Sequence, residues 1–443
     1  MERLLTPASP VQIQSRLLRL AGIFLFLYAL ILTLAPAARA RTWAVEFRWS
    51  HWLGLAVWTI IFTLAHHLSN RRLPDADPYI LPIAALLTGW GILTIYRLVP
   101  PFGLRQTTWL LVCGLVFLIG LRLSPELRFL RRYKYVWLTG GLLITALTLI
   151  FGTDPGGGIV HAWLGCCGIY FQPSEPLKLL LVIYLAAYMA DSLPLSLRPV
   201  PLLAPTAIVM GVALLLLVIQ RDLGTASIFI FLFTITLFVA SGKKRILLIS
   251  LVGLAVAGVA GYFLYDVIRL RVDAWLNPWL DPSGRSFQIV QSLMAVANGG
   301  TSGRGPGLGS PGLVPVAISD FVFTSIAEET GMVGTLGLLI LIGLIINRGI
   351  RITMRAPDYF RRFLAAGLTA YFSAQSILII GGNIRLLPLT GVTLPIISYG
   401  GSSLLTSFFA LLLLYLISSQ PEDPAPLPKP APYLILGGLI GLA

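Results

Sequence analysis

Residues 201–245 read PLLAPTAIVMGVALLLLVIQRDLGTASIFIFLFTITLFVASGKKR. Two apolar runs flank the polar break Gln220-Arg221-Asp222, and the second stops at Lys243-Lys244-Arg245. Each run is about 20 residues, the length an α-helix needs to cross the hydrocarbon core of a bilayer. Lipid offers the backbone no hydrogen-bond partner, so only helices or a closed barrel can span it. Barrel strands would alternate polar and apolar residues. These runs are apolar on both parities, which selects helices.

The same pattern recurs along the chain. Apolar spans are expected at 19–37, 51–68, 78–97, 105–122, 134–152, 174–191, 200–219, 223–240, 246–267, 319–346, 361–381 and 395–418, twelve in all. The composition agrees: 443 residues, 56% hydrophobic and only 11% charged, where a soluble domain averages about 25% charged. The fold class is therefore all-α, a polytopic transmembrane helical bundle. The first block ends in Ala35-Pro-Ala-Ala-Arg-Ala-Arg41, which imitates a cleavage site, but its span length reads as an anchor. A Pro-rich linker, Gln420 to Pro432, precedes an apolar tail at 433–443 that reads as the start of a further span.

The net charge is +14. In a membrane protein this is read as basic residues gathered in cytoplasmic loops beside anionic lipid, with no nucleic acid as partner. With the N-terminus inside, the inner segments hold about 20 Lys and Arg against about 11 outside. That topology places 153–174, 268–319 and 382–395 on the outer side. The middle segment, about 50 residues, is far longer than an ordinary connection, and such loops tend to be functional. Its run Phe287–Ala297 is amphipathic and fits the membrane interface. Cys113, Cys166 and Cys167 lack metal-ligand or disulfide spacing and are read as packing residues.

Ionisable residues in or at the ends of spans are costly in lipid and are functional candidates by default. Glu175 and Lys178 share a helix face and could pair, as a structural ion pair or a catalytic one. Asp222, Glu328 and Glu329 stand beside or within spans. Asp320 sits where the long outer segment re-enters the membrane; it can serve as a helix cap or as a general base facing outward. The stretch 299–309 packs glycines around Arg304 and can be either a flexible turn or a backbone nest for phosphate. Arg269 and Arg271 end the preceding helix, suited to lipid headgroups or to a pyrophosphate. No ligand cluster demands a metal.

Five ordered motifs over about 78–418 resemble the SEDS family (RodA, FtsW, SpoVE). They are Phe171-Gln-Pro-Ser-Glu175 with Lys178, Asp222-Leu-Gly-Thr-Ala226, Gln291-Ser292-Leu-Met-Ala295 with the glycine-rich stretch, Asp320-Phe-Val-Phe with Ala327-Glu-Glu-Thr-Gly331, and Leu387 to Ser403, which includes Ser398-Tyr399-Gly-Gly. The resemblance implies a ten-helix core over 73–419, two extra N-terminal spans in 1–72, and a linker with a further transmembrane start in 420–443. It implies a peptidoglycan glycosyltransferase, at the outer face of the bacterial cytoplasmic membrane, that polymerises lipid II, the undecaprenyl-pyrophosphate-linked disaccharide-pentapeptide. The implied partner is a class B penicillin-binding protein, here one that a longer chain could carry fused at its C-terminus. It makes Asp320 the catalytic residue. Trp163, Glu175, Lys178, Gln291, Ser292, Ser398 and Tyr399 become substrate-side residues. A leaving pyrophosphate needs positive charge, and Arg269, Arg271 and Arg304 are the outer-side candidates for it. A divalent cation, Mg or Mn, could share that charge. This chain departs from the family pattern at Ala162, Pro176, Arg221 and Ile318-Ser319. Two other functions fit a bundle of this kind: a lipid II flippase, and a non-catalytic scaffold for the penicillin-binding protein.

Overall fold

The computed structural model describes residues 9–122, 127–154, 162–166, 169–192 and 199–419. The expected span start at 433–443, its linker and Cys167 lie outside these residues. Among the described residues, ten helices are long and apolar enough to cross a membrane. In chain order the helices are α1 (Pro10–Ala40), α2 (His51–Arg72), α3 (Ile80–Leu98), α4 (Pro100–Gly120), α5 (Arg128–Arg132), α6 (Lys134–Phe151), α7 (Ser174–Ser192), α8 (Pro199–Ile219), α9 (Leu223–Ser241), α10 (Lys244–Leu264), α11 (Asp266–Leu276), α12 (Phe287–Gly299), α13 (Val322–Arg355), α14 (Tyr359–Asn383) and α15 (Gly401–Ser418). Each expected span coincides with one of these helices. α7 is of spanning length but carries three charged residues, Glu175, Lys178 and Asp191, and stands outside the ten.

The chain divides into two compact units. Of the described residues, the first takes those within 1–124, 265–348 and 375–419, and the second those within 125–264 and 349–374. In the first unit α3 is the innermost helix, with most of its residues buried. α1, α2 and α4 pack around it, and α15 packs on α4. Close approach is built from small residues, as membrane packing requires. Gly89 of α3 receives Leu25 of α1, Gly114 of α4 receives Ile61 of α2, and Gly91 lies against the backbone of Ile397. At one end of the unit Arg348 Nε donates to Asp77 at 2.6 Å, and the same guanidinium lies 4.7 Å from the Tyr79 ring.

In the second unit α7 packs with α6, α8 and α9 around Leu177, Leu181, Tyr184, Met210, Leu217 and Phe229. Gln220, buried at the end of α8, donates to the Thr145 carbonyl at 2.9 Å and to Thr148 Oγ1 at 2.6 Å. α10 packs on α9 and buries only Gly261. A short antiparallel hairpin, β1 (Leu164–Cys166) with β2 (Ile169–Phe171), precedes α7. Three-residue strands carry too little periodicity to be read from sequence.

Two differences from the expected boundaries bear on the site. The last span is expected from 395, but the helix begins at Gly401, and residues 384–400 form an irregular segment. Its Ile396 holds φ +72°, strained for a β-branched residue. The span expected at 319–346 begins at Val322 and is broken at Gly331, where φ is +65° and ψ −163°. The helix resumes at once and runs on to Arg355.

Candidate active site

In the first unit four segments converge on Asp320: α11, α12, the turn region before α13, and the irregular 384–400 segment. Asp320 precedes the first residue of α13, and its carboxyl is half-buried. Its backbone is held from three sides. Asn383, at the end of α14, donates through Nδ2 to the Asp320 carbonyl at 2.8 Å. Ser398 donates to the Ser319 carbonyl at 2.6 Å, and the Tyr399 amide donates to the Ile318 carbonyl at 2.9 Å. Asn383 is fixed in turn. Thr324 Oγ1 donates to its Oδ1 at 3.1 Å, and Ser292 donates to its carbonyl at 2.8 Å. Ser292 and Thr324 lie 2.7 Å apart.

Arg271 reaches the same place from α11. It donates to the Thr390 carbonyl at 3.0 Å. Gly391, at φ +72°, leaves the space between them: a Cβ there would stand 3.3 Å from the Arg271 guanidinium and 3.7 Å from Asp320 Oδ2. Burial pushes the Asp320 carboxyl up from the ordinary 3.8 to about 6, with the Ser319 hydroxyl and the Arg271 charge pulling it back. The site therefore holds a carboxylate of near-neutral affinity for a proton beside a fixed positive charge.

Of the residues expected from sequence, Arg271, Ser292, Asp320, Ser398 and Tyr399 come together here. Ser292 and Ser398 bond protein backbone, so they hold the Asp320 segment in place. Gln291 is half-buried on α12 next to Ser292. Arg269 is exposed, 3.8 Å from Asp266 on its own helix. Arg304 is exposed, but the glycine-rich stretch is no open nest. Its Arg304 and Gly305 amides donate to the carbonyls of Glu328 and Glu329, and the Met332 and Val333 amides donate back to Gly300 and Thr301. The stretch thus satisfies the backbone exposed by the break at Gly331. Glu329 pairs with Arg97 at 3.0 Å, and Glu328 accepts from the Ser310 amide at 3.1 Å.

Asn383, Thr324, Gly391 and Gln106 do not stand out in the sequence. Gln106 donates to the Ser398 carbonyl at 3.2 Å and accepts from the Gly400 amide at 3.2 Å, so α4 fixes the serine-bearing turn. The signal that could have found them is an amide side chain inside or ending an apolar span, which rarely goes unpaired in lipid.

The second unit carries the remaining expected residues. Lys178 Nζ and Glu175 Oε1 are 2.7 Å apart, and both side chains are buried. The other Glu175 oxygen, Oε2, is buried without a hydrogen-bond partner. Asp222 caps α9, accepting from the Thr225 amide at 3.1 Å, and its second oxygen accepts from Gln172 and Ser174 at 3.2 and 3.3 Å. Trp163 is half-buried and bridges Thr153 through its backbone. Among the described residues no group of three His, Cys, Asp or Glu side chains could hold a metal ion.

Comparison with known proteins gives the same reading. RodA of Mycobacterium tuberculosis strain H37Rv, named a peptidoglycan glycosyltransferase, is 34% identical over 399 residues, 84% of each chain. RodA of Mycobacterium leprae, named likewise, is 33% identical over 445 residues, covering 95% of this chain and 93% of that one. A solved chain from a peptidoglycan synthase complex superposes with a TM-score of 0.67 at 30% identity, over 77% of this chain and 97% of the other. The model of the FtsW, RodA and SpoVE family, described as cell cycle proteins, matches residues 93–423. This chain therefore belongs to the FtsW/RodA/SpoVE family, the SEDS membrane proteins.

Proposed function

We propose that this chain is a peptidoglycan glycosyltransferase that polymerises lipid II at the outer face of the cytoplasmic membrane, with Asp320 as general base. The observation that carries the assignment is the half-buried Asp320 carboxyl, near-neutral in proton affinity, beside Arg271 and over the gap at Gly391. A general base works best when its pKa lies near the working pH.

In the reaction, the 4-hydroxyl of the acceptor's N-acetylglucosamine gives its proton to Asp320. The oxygen attacks C1 of the N-acetylmuramic acid at the reducing end of the donor chain. The C1–O bond to the pyrophosphate breaks, undecaprenyl pyrophosphate leaves with the bonding pair, and the configuration at C1 inverts. Arg271 supplies positive charge to the departing pyrophosphate. Exposed Arg269 and Arg304 are further cations on the chain's outer segments. Among the described residues no group of three His, Cys, Asp or Glu side chains gathers at Asp320, and no step is assigned to a divalent cation.

The basic bias of the inner segments supports this orientation. The working partner is a class B penicillin-binding protein that cross-links the nascent strands. The solved relative supports this, since its complex couples polymerization and crosslinking. Residues 73–419 form the catalytic core of this reading, and residues 1–72 are an addition; the family match begins at 93. The deciding experiment is polymerisation of labelled lipid II by the purified protein and by Asp320→Asn, each with and without the partner. Product from the wild type and none from the variant is expected. Equal activity would remove Asp320 as the base. Lipid II movement across vesicles without polymer would mark a flippase, and neither activity would mark a scaffold.

A further inference from the structure

We propose that the cleft between α1 and α2 binds one acyl chain of an anionic phospholipid, with its phosphate at Arg19. The proposal concerns helices that precede the family match and does not depend on the catalytic reading. The cleft has a volume of about 400 Å³. Gly22 and Phe26 of α1 face Trp58 and Phe62 of α2 across it, and Ser15, Arg19 and His66 close one end.

Its shape selects the occupant. The lining runs from Ser15 to Phe26, about 16 Å along α1 at 1.5 Å per residue, so 400 Å³ gives a mean section of about 25 Å². A helix about 10 Å across needs roughly 80 Å². The slot therefore takes a single extended hydrocarbon chain and does not enclose a transmembrane helix. Gly22 opens it: a Cβ at that position would meet nothing within 4 Å.

Its charge selects the headgroup. Arg19 is exposed at the polar end, and among the described residues its hydrogen bond stays on its own helix, from Nε to the Ser15 carbonyl at 3.4 Å. Arg16, Arg71 and Arg72 are exposed near the same ends of the two helices, and none of the four forms an ion pair among the described residues. The polar end is also fixed in place. His66 Nδ1 lies 2.7 Å from Oε1 of Gln14, itself buried and donating to the Tyr415 hydroxyl at 2.8 Å. A guanidinium in the lining of an apolar slot, in no ion pair among the described residues, matches a phosphate carrying an acyl chain.

The test uses the full chain in vesicles of equal parts phosphatidylglycerol and phosphatidylcholine, re-extracted and weighed by native mass spectrometry. The wild type should retain phosphatidylglycerol in preference to phosphatidylcholine. Gly22→Leu should lose the retained lipid, because the new side chain fills the slot. Arg19→Gln should retain lipid but reduce the preference roughly fivefold. If Gly22→Leu fails to fold by thermal melting, Thr63→Trp plugs the slot from α2. Retention unchanged in a folded plugged variant would overturn the proposal. So would equal retention of the two lipids by the wild type, or displacement of the lipid by inorganic phosphate or by a co-purifying peptide.

Discussion

Asp320 is a carboxylate whose surroundings resist its charge. Its affinity for protons is raised to about 6, so below that pH it is protonated and, as the proposed base, would have no site for the proton of the sugar hydroxyl. Polymerisation rate should therefore fall about tenfold per pH unit below 6 and level off above it. Stability runs the other way. A raised carboxyl favours the fold at pH below its ordinary 3.8, and that contribution is lost as pH rises through 6. Asp320→Asn should accordingly lose about 10²- to 10⁴-fold in rate while melting higher than wild type at pH 8. The melting advantage should fade toward pH 4. Thermal melts across that range, set beside lipid II polymerisation, check both signs. Lys178 poses a different problem. It pairs with Glu175, and both are buried. Lys178→Met leaves an uncompensated buried carboxylate and should cost about 3–5 kcal/mol. Adding Glu175→Leu should recover much of that stability, which denaturation of the single and double variants would show. Activity that stayed lost in the stable double variant would mark a role for the pair beyond holding the bundle.

At the scale of elements, the break in α13 matters most. Ala327-Glu-Glu-Thr-Gly331 reads as the continuation of a helix, yet Gly331 turns the backbone to φ +65°. The glycine-rich stretch folds back on that break and exchanges backbone hydrogen bonds with both sides of it. A Cβ on Gly331 would overlap the backbone of Gly303 and come 2.7 Å from the Thr301 carbonyl. Gly331→Ala should lose more than the about 1–3 kcal/mol of a disfavoured φ/ψ alone. Gly337→Ala, on the same helix with nothing within 4 Å of its Cβ, should be neutral or slightly stabilising. Melting the two variants side by side makes the comparison. α9 offers a milder case. Asp222→Ala removes the cap on Thr225 and two side-chain bonds, and should cost about 1 kcal/mol or more.

At the scale of the molecule, α1 and α2 are packed into the first unit without belonging to the matched family region. Trp58 donates to the Ala85 carbonyl at 2.7 Å, Leu25 fills the hollow at Gly89, and Gln14 and Ser69 both bond the Tyr415 hydroxyl of α15. Removing residues 1–72 strips one face of α3 and leaves these groups to lipid. Lipid is as apolar as a helix surface, so the loss is one of packing and hydrogen bonds rather than of hydrophobic burial. The shortened chain should melt several degrees lower but still polymerise lipid II, because the hydrogen bonds described above that hold the Asp320 backbone come from α4, α12, α13, α14 and the 384–400 segment. Melting and polymerisation assays on the two lengths check this.

Much of this protein is legible in its amino-acid sequence. Length and apolarity fix the spans, because a bilayer core has one thickness and a helix one rise per residue. The ordered motifs point to the family, and the costly charges Glu175, Lys178 and Asp320 announce themselves against an apolar background. Sequence could not tell that Ser292 and Ser398 hold backbone, that the amides around Arg304 are already bonded, or that Asn383 and Gln106 support the site. Those facts depend on which distant segments meet, and hydrogen-bond satisfaction is a property of the meeting. Nor could it tell that Asp320 is half-buried beside Arg271. The proton affinity of a carboxyl is set by its surroundings, and folding alone assembles them.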